Sequence, residues 1–286
     1  MVRAEEILKM KYVSFRRPDG RASFGRTDGT EVFDLGRGGP AADLRSALAA
    51  GNLQELKHGE SFKLSQLVLL PPIPNPGKIL CIGLNYETHR KETGRAEANH
   101  PAIFTRFADT LIAHGAPLVR PKVSADFDYE GELAVVIGKG GRAIPREAAL
   151  SHVAGYACFN DASVRDWQRH NIQFTPGKNF PGTGSFGPWM VTPEELGDLT
   201  ARSVVTRLND QIVQNQSVSE MIWPVPEIIA YLSAFTPLAP GDVIATGTPG
   251  GVGSRRVPPL WMKAGDSVSV EIQGVGLLVN HVVDEA

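Results

Sequence analysis

DFDYEGELAVVIGK, residues 126–139, joins an acidic opening to an apolar run closed by Gly138. The second half, ELAVVIG, has the β-branched, apolar composition of a buried strand. Glu130 and Glu132 stand at its start. Residues two apart in a strand share a face, about 6.5–7 Å apart at Cα. Two carboxylates held that way beside apolar neighbours repel each other and lose hydration. Either water reaches them, as on a solvent-facing strand edge, or a cation sits between them. Oxygen-only ligand sets suit Mg²⁺, Mn²⁺ or Ca²⁺, so a hard divalent cation is the working expectation.

The surrounding chain sets limits on partners. Its 286 residues, 42% hydrophobic and 21% charged, suffice for one large core or for a small unit beside a larger one. With 29 basic against 31 acidic residues, no net field draws nucleic acid or an anionic membrane. No apolar stretch approaches the roughly 20 residues of a membrane span. The opening MVRAEEILK lacks an apolar signal core, so a cytoplasmic protein is expected. MKYVSFRR, from Met10, reads as a natural beginning, with residues 1–9 as an addition ahead of it. Cys81 and Cys158 lie in apolar, strand-like runs and are expected as buried thiols rather than a disulfide.

Before the central stretch, residues 11–36 read as short strands separated by P-D-G and T-D-G turns. A helical spacing of leucines follows, broken at Gly51. This gives a small N-terminal α/β domain, residues 1–72, ahead of a larger domain at 73–286, with PPIPNPGK (71–78) as the connection. Residues 79–84 read as a strand, after which come Tyr86, His89 and Glu92. In a helical turn His89 and Glu92 face the same side, and a carboxylate beside an imidazole orients it as a general base. The competing reading is a surface ion pair on a polar helix. Residues 87–100 are polar throughout and suit a segment that orders over a ligand. Arg106, in an apolar run, needs an anionic partner from the protein or a substrate.

After the central stretch, residues 153–161 read as a strand that ends on Asp161, a third carboxylate able to complete the oxygen site. Arg165 and Gln168 crowd the turn that follows. The literal G-x-G-x-x-G at Gly182, Gly184 and Gly187 has no strand before it and Pro188 after it, which excludes a dinucleotide fingerprint. A glycine loop held close to a ligand is expected instead, with Lys178 just ahead of it. Toward the C-terminus a hairpin turns at Asn209–Asp210, and a short helix carries Ile228, Ile229, Leu232 and Phe235 as its apolar stripe. PGDVIATGTPGGVG joins a strand to a glycine loop at Thr246 and Thr248, without the G-K-[ST] of a phosphate loop.

Five separated segments, GLNYETHRKE, FDYEGELAVVIGK, FNDASVRDWQ, GKNFPGTGSFGPWMVT and PGDVIATGTPGGVG, occur in an order that resembles the fumarylacetoacetate hydrolase family, its short bacterial acylpyruvate hydrolase-like branch included. The resemblance covers about residues 75 to 286. It implies an α+β, mainly β fold, with a mixed β-roll or β-sandwich catalytic domain and usually a homodimer. By resemblance Glu130, Glu132 and Asp161 match divalent metal ligands, for Mg²⁺ or Mn²⁺ with Ca²⁺ also admissible. His89 matches the catalytic histidine, Glu92 its acidic partner, and Lys178 a charge-balancing group. Tyr86, Arg165, Gln168 and Thr248 border the substrate. Arg106 stands where many members carry lysine, a departure that suggests a bidentate grip on a substrate carboxylate.

The implied activity is hydrolysis of a carbon–carbon bond in a β-diketo acid: an acylpyruvate such as fumarylpyruvate or maleylpyruvate, or a diketo-deoxy sugar acid. His89 would activate water and the metal would stabilise the departing enolate. The runner-up is a decarboxylase, isomerase or dehydratase of a 2-oxo acid on the same scaffold. A reading of another class is a non-catalytic dimer held by a structural ion.

Overall fold

The computed structural model of the chain describes residues 11–36, 41–57 and 59–286. The expectation for residues 1–9 lies outside the described residues. At the centre Gly131–Ile137 forms the strand expected of ELAVVIG, and every residue in it is buried. Burial on both faces is why the run is continuously apolar rather than alternating. Val153–Asp161 pairs antiparallel on one side of it and Val243–Ala245 on the other. Ile79–Gly83 continues the sheet in parallel with Val243–Ala245. Gly184–Val191 lies outside Val153–Asp161 and meets the leading residues, where Tyr12 pairs with Met190. The strands Lys11–Arg16, Ala22–Thr27 and Glu31–Asp34 therefore belong to one 12-stranded mixed sheet. Helix Leu44–Ala50 ends at Gly51, whose φ of 70° suits glycine.

A second sheet of five strands packs on the first. Leu133, Val135 and Ile137 point from the central strand into a core shared with Val204, Val270 and Ile272. The helix Val225–Phe235 joins the same core through Val225, Ile228, Ile229 and Leu232. Phe235, expected in that stripe, is 55% exposed instead, because it is the last helical residue and turns away from the sheet. The opposite face of the central strand, Ala134 and Val136, packs with Phe104, Phe159 and Phe186. The fold is thus α+β and mainly β, with two mixed sheets face to face. The hairpin turns at Asn209 and Asp210, both at positive φ, as two-residue turns require. Both cysteines are free and buried. Among the described residues no helix is long and apolar enough to cross a membrane.

The glycine-rich segment departs from expectation. It is a strand, Gly184–Val191, not a loop around a ligand. A Cβ on Gly184 would lie 2.9 Å from the Arg106 guanidinium, so this glycine makes room for a buried arginine. Two glycines and a proline hide the period of two that would have marked the strand.

The core on the Phe159 face carries the strand ends that hold the carboxylates. Phe159→Ala is expected to cost about 3–5 kcal/mol of unfolding free energy, measured as a lower denaturation midpoint in urea at unchanged slope.

Candidate functional site

Strand register brings the acidic residues together. Gly131 pairs with Asn160 and Glu132 with Phe159. Glu130 therefore falls opposite Asp161, whose backbone N–H donates to the Glu130 carbonyl at 2.8 Å. Cross-strand partners share a face, as do residues two apart in one strand. Glu130, Glu132 and Asp161 thus leave the sheet on one side, and one oxygen from each lies within 4.8 Å of the others. Opposed ligands of an ion bound at 2.3–2.6 Å are about 4.6–5.2 Å apart, so the cluster can close on a single cation.

The charges around the cluster are nearly balanced. Lys178 Nζ donates to Glu130 Oε2 at 2.6 Å and to Asp161 Oδ2 at 2.5 Å. Arg165 pairs with Glu130 Oε1 at 2.6 Å, and its Nε donates to Asp128 Oδ2 at 2.8 Å. Arg106 donates to Asp161 and to the Ala162 carbonyl. Glu132 has no such cation among the described residues; the Gly247 N–H donates to it at 2.8 Å. Burial, then the neighbouring Asp161 and Glu130, push Glu132 well above the usual carboxylate range. Burial would raise Glu130 too, but Arg165, Lys178 and His89 outweigh it and bring it down to about 2. Burial opposes the Lys178 ammonium, yet Asp161 and Glu130 prevail and hold its pKa above the ordinary lysine value. Four carboxylates, with Asp128 included, face three cations, and Glu132 is the one without an ion pair to any of them. Three converging hard oxygens, one of them on an acid with no cationic partner, fit a divalent cation.

A cavity of about 380 Å³ opens beside the cluster. His89, Glu130, Glu132, Lys178, Arg165 and Thr248 line it, with Gln168 beside Arg165. His89 sits on the short helix Glu87–Glu92, and its Nδ1 lies 2.7 Å from Glu92 Oε1. A carboxylate only accepts, so Nδ1 donates, and in the neutral ring Nε2 carries the lone pair. Glu92 Oε2 accepts the Gly251 N–H at 2.8 Å, which fastens this helix to the glycine loop after Val243–Ala245.

Two expected lining residues stand elsewhere. Arg106 is 2% exposed and lies behind Asp161, where that carboxylate, the Ala162 carbonyl and Thr183 Oγ1 occupy its donors. Tyr86 is fully buried in the main core and bridges to Met221. Asp161 itself is 0% exposed and backs the cavity rather than lining it. Sequence reasoning passed over Asp128, which accepts from Arg165, Gly253 and Ser254. Its signal was present, since Asp128, Glu130 and Glu132 continue one period of two. Gln214, which donates to Thr248 Oγ1 at 2.8 Å, carried no signal in its polar strand.

The model for the C-terminal domain of fumarylacetoacetate (FAA) hydrolase matches residues 78–283, most of the chain and all of the site just described. The chain belongs to the fumarylacetoacetate hydrolase family. It is 37% identical to "Oxaloacetate tautomerase fahd2, mitochondrial" of Xenopus laevis, over 96% of this chain and 91% of that protein. It is 42% identical to "Oxaloacetate tautomerase YisK" of Bacillus subtilis (strain 168), over 77% of this chain and 75% of that one. The structure of a fumarylacetoacetate hydrolase from Exiguobacterium antarcticum superposes with a TM-score of 0.86 at 35% identity, covering 96% of this chain and all of that one. The tautomerase names overturn the expectation of carbon–carbon hydrolysis, and with it the acylpyruvate hydrolase class. The physical reason is that a metal-held 2-oxo acid and a nearby base serve proton transfer as readily as water activation, so the family motifs do not tell the two apart.

Glu132 yields a pH dependence of definite sign. Its folded pKa lies above the unfolded value, so the metal-free native chain binds the extra proton. The contribution of Glu132 to the stability of the EDTA-treated protein is fully present below the ordinary Glu value of about 4.3 and is lost as pH rises through the raised value. Mg²⁺ or Mn²⁺ should remove that fall, and Glu132→Gln should remove it while abolishing ion binding. Urea unfolding across pH, paired with metal content by elemental analysis, measures both.

Proposed function

We propose that this protein is a divalent-metal-dependent tautomerase that interconverts the keto and enol forms of a 2-oxo diacid, oxaloacetate being the type case. The observation that carries the reading is the His89–Glu92 pair, 2.7 Å apart, on the wall shared with Glu130, Glu132 and Lys178. The relatives' names support the same reaction.

Tautomerisation moves one proton between the carbon beside the oxo group and the oxo oxygen; no water is consumed and no carbon–carbon bond breaks. Glu130, Glu132 and Asp161 would hold the cation, which supplies Lewis-acid polarisation of the 2-oxo group. His89 Nε2 takes the proton from carbon, and the electron pair moves toward the oxygen. The same imidazole then gives a proton to that oxygen, and the reverse reaction runs through the same atoms. Glu92 fixes the tautomer and the plane of the ring. Lys178, clamped between Glu130 and Asp161, acts as a fixed positive charge rather than as a base. The Gln168 amide accepts from Arg165 Nη1 at 3.0 Å through its oxygen, which leaves its NH₂ to donate to a substrate carboxylate. The helix bearing His89, tied down through Glu92 and Gly251, excludes bulk water. A leading unit through residue 72 and pairing of two chains belong to the same proposal; the separate cluster of Val13, Phe15 and Val32 supports the first.

The decay of enol-oxaloacetate absorbance tests the reading. His89→Ala is expected to lower the catalysed rate by about 10²–10⁴-fold with metal content unchanged; a near-normal rate refutes the assignment. Glu92→Gln should cost about 10–100-fold. EDTA should abolish the catalysed rate, and Mg²⁺ or Mn²⁺ should restore it.

A further inference from the structure

The glycine loop after Val243–Ala245 spends its N–H groups on side chains of the site. The Gly247 N–H goes to Glu132, the Gly250 N–H to Thr88 and the Gly251 N–H to Glu92. Those of Gly253 and Ser254 go to Asp128. Loops are mobile unless tied down, so a row of donors aimed this way needs support from behind.

At Gly251 that support comes from two side chains. The Gly251 carbonyl accepts from Tyr129 Oη at 3.1 Å and from Arg256 Nε at 3.2 Å. The two holders are tied to each other, since Arg256 Nε also donates to Tyr129 Oη at 3.0 Å. Arg256 Nη2 donates to the Val213 carbonyl at 2.7 Å, which anchors the pair to the strand Gln211–Ser217. Tyr129 is fully buried and packs in a core cluster with Phe127, Leu208 and Val268. Gly251 itself has no room to yield. Its φ is 105°, and a Cβ there would stand 2.3 Å from the Val213 carbonyl oxygen. Contacts then run without a gap from Tyr129 and Arg256 to Gly251, from Gly251 to Glu92 at 2.8 Å, and from Glu92 to His89 at 2.7 Å. Neither Tyr129 nor Arg256 lines the cavity, so neither reaches a bound substrate.

We infer that Tyr129 and Arg256 are positioning residues for the His89 base. They act through one backbone residue, by holding the Gly251 N–H where Glu92 docks. Without the Tyr129 hydroxyl the Gly251 carbonyl loses one of its two donors, the seat of Glu92 loosens, and the imidazole is released from the Nδ1–H tautomer that Glu92 imposes. Tyr129 is also the neighbour of Glu130, so one short segment carries an acid of the proposed ion site and, on the residue before it, the support of the base. The inference rests on the tautomerase reading and adds two residues to its proton-transfer apparatus.

Tyr129→Phe removes the hydroxyl and keeps the ring in the core; Arg256→Lys keeps the charge and removes the fork. Both are compared with the unaltered full chain, loaded with Mg²⁺. Expected for each is a kcat on enol-oxaloacetate lowered about tenfold, with KM within about twofold and metal content unchanged. In the Glu92→Gln background the same changes should cost less than about twofold, because the link they support is already cut. Nitrogen-15 NMR of histidine-labelled protein at about pH 9, where an ordinary imidazole is neutral, reads the ring directly, with the His89 signals assigned by their loss in His89→Ala. The unaltered chain should show the Nδ1–H tautomer alone, and each variant a mixture of the two. A single tautomer in both variants overturns the inference, whatever their rates. So does a loss of kcat as large in the Glu92→Gln background as in the unaltered protein, since the two residues then act by a route other than Glu92. If the unaltered protein catalyses no tautomerisation, the tautomerase reading fails, and the NMR comparison alone decides whether Tyr129 and Arg256 fix the ring.

Discussion

Three carboxylates buried within 4.8 Å of one another set the terms for everything near them. At an effective dielectric of about 20, two like charges 4 Å apart repel by about 4 kcal/mol. Lys178, Arg165 and Arg106 answer two of the three acids, and the third, Glu132, faces the cavity. An outer layer holds the strand where the acids leave it. Asn160 Oδ1 accepts the Glu130 N–H at 3.0 Å, and Gln214 Oε1 accepts the Gly131 N–H at 3.0 Å. Gln214 also holds Thr248 through its amide nitrogen. Geometry for a hard ion is thus built into the backbone of two paired strands, which are far stiffer than loops.

Glu92 links orientation to enclosure. One of its oxygens meets the His89 ring and the other accepts from Gly251. Thr88, on the same helix, accepts the Gly250 N–H at 3.0 Å. The His89 ring is therefore held in one orientation while the helix is seated, and lifting the helix frees it. Under the proposed reading, one side chain would couple substrate entry to proton transfer.

Much of this was legible before any coordinates. ELAVVIG announced a strand buried on both faces, and the E-x-E spacing placed two carboxylates on one side of it. Asp161 was legible as a strand terminus, though its position opposite Glu130 is a matter of register, which no local pattern states. His89 and Glu92 were legible from helical spacing. Arg106 was misread because a buried arginine signals a need for an anion without saying whose; here Asp161 meets it. Gly184 was misread for the complementary reason, since a glycine that clears space for a side chain looks like one that clears space for a ligand. The choice of reaction lay beyond pattern altogether, because hydrolysis and tautomerisation ask the same groups for different proton destinations.

The pairing between Gly131–Ile137 and Val153–Asp161 is regular from Gly131 to Val136 and slips only between Val136 and Ile137. The next pairing outward, with Gly184–Val191, is likewise regular from Phe159 to Asp161 and irregular between Tyr156 and Cys158. Both defects lie at the end of the sheet away from the acids. Tolerance of length change is therefore lopsided along the same strands. An inserted or deleted residue at the slack end shifts a loop, whereas one at the taut end would turn Glu130 or Asp161 to the wrong side. One end of these strands can therefore change length without moving the acids, and the other cannot.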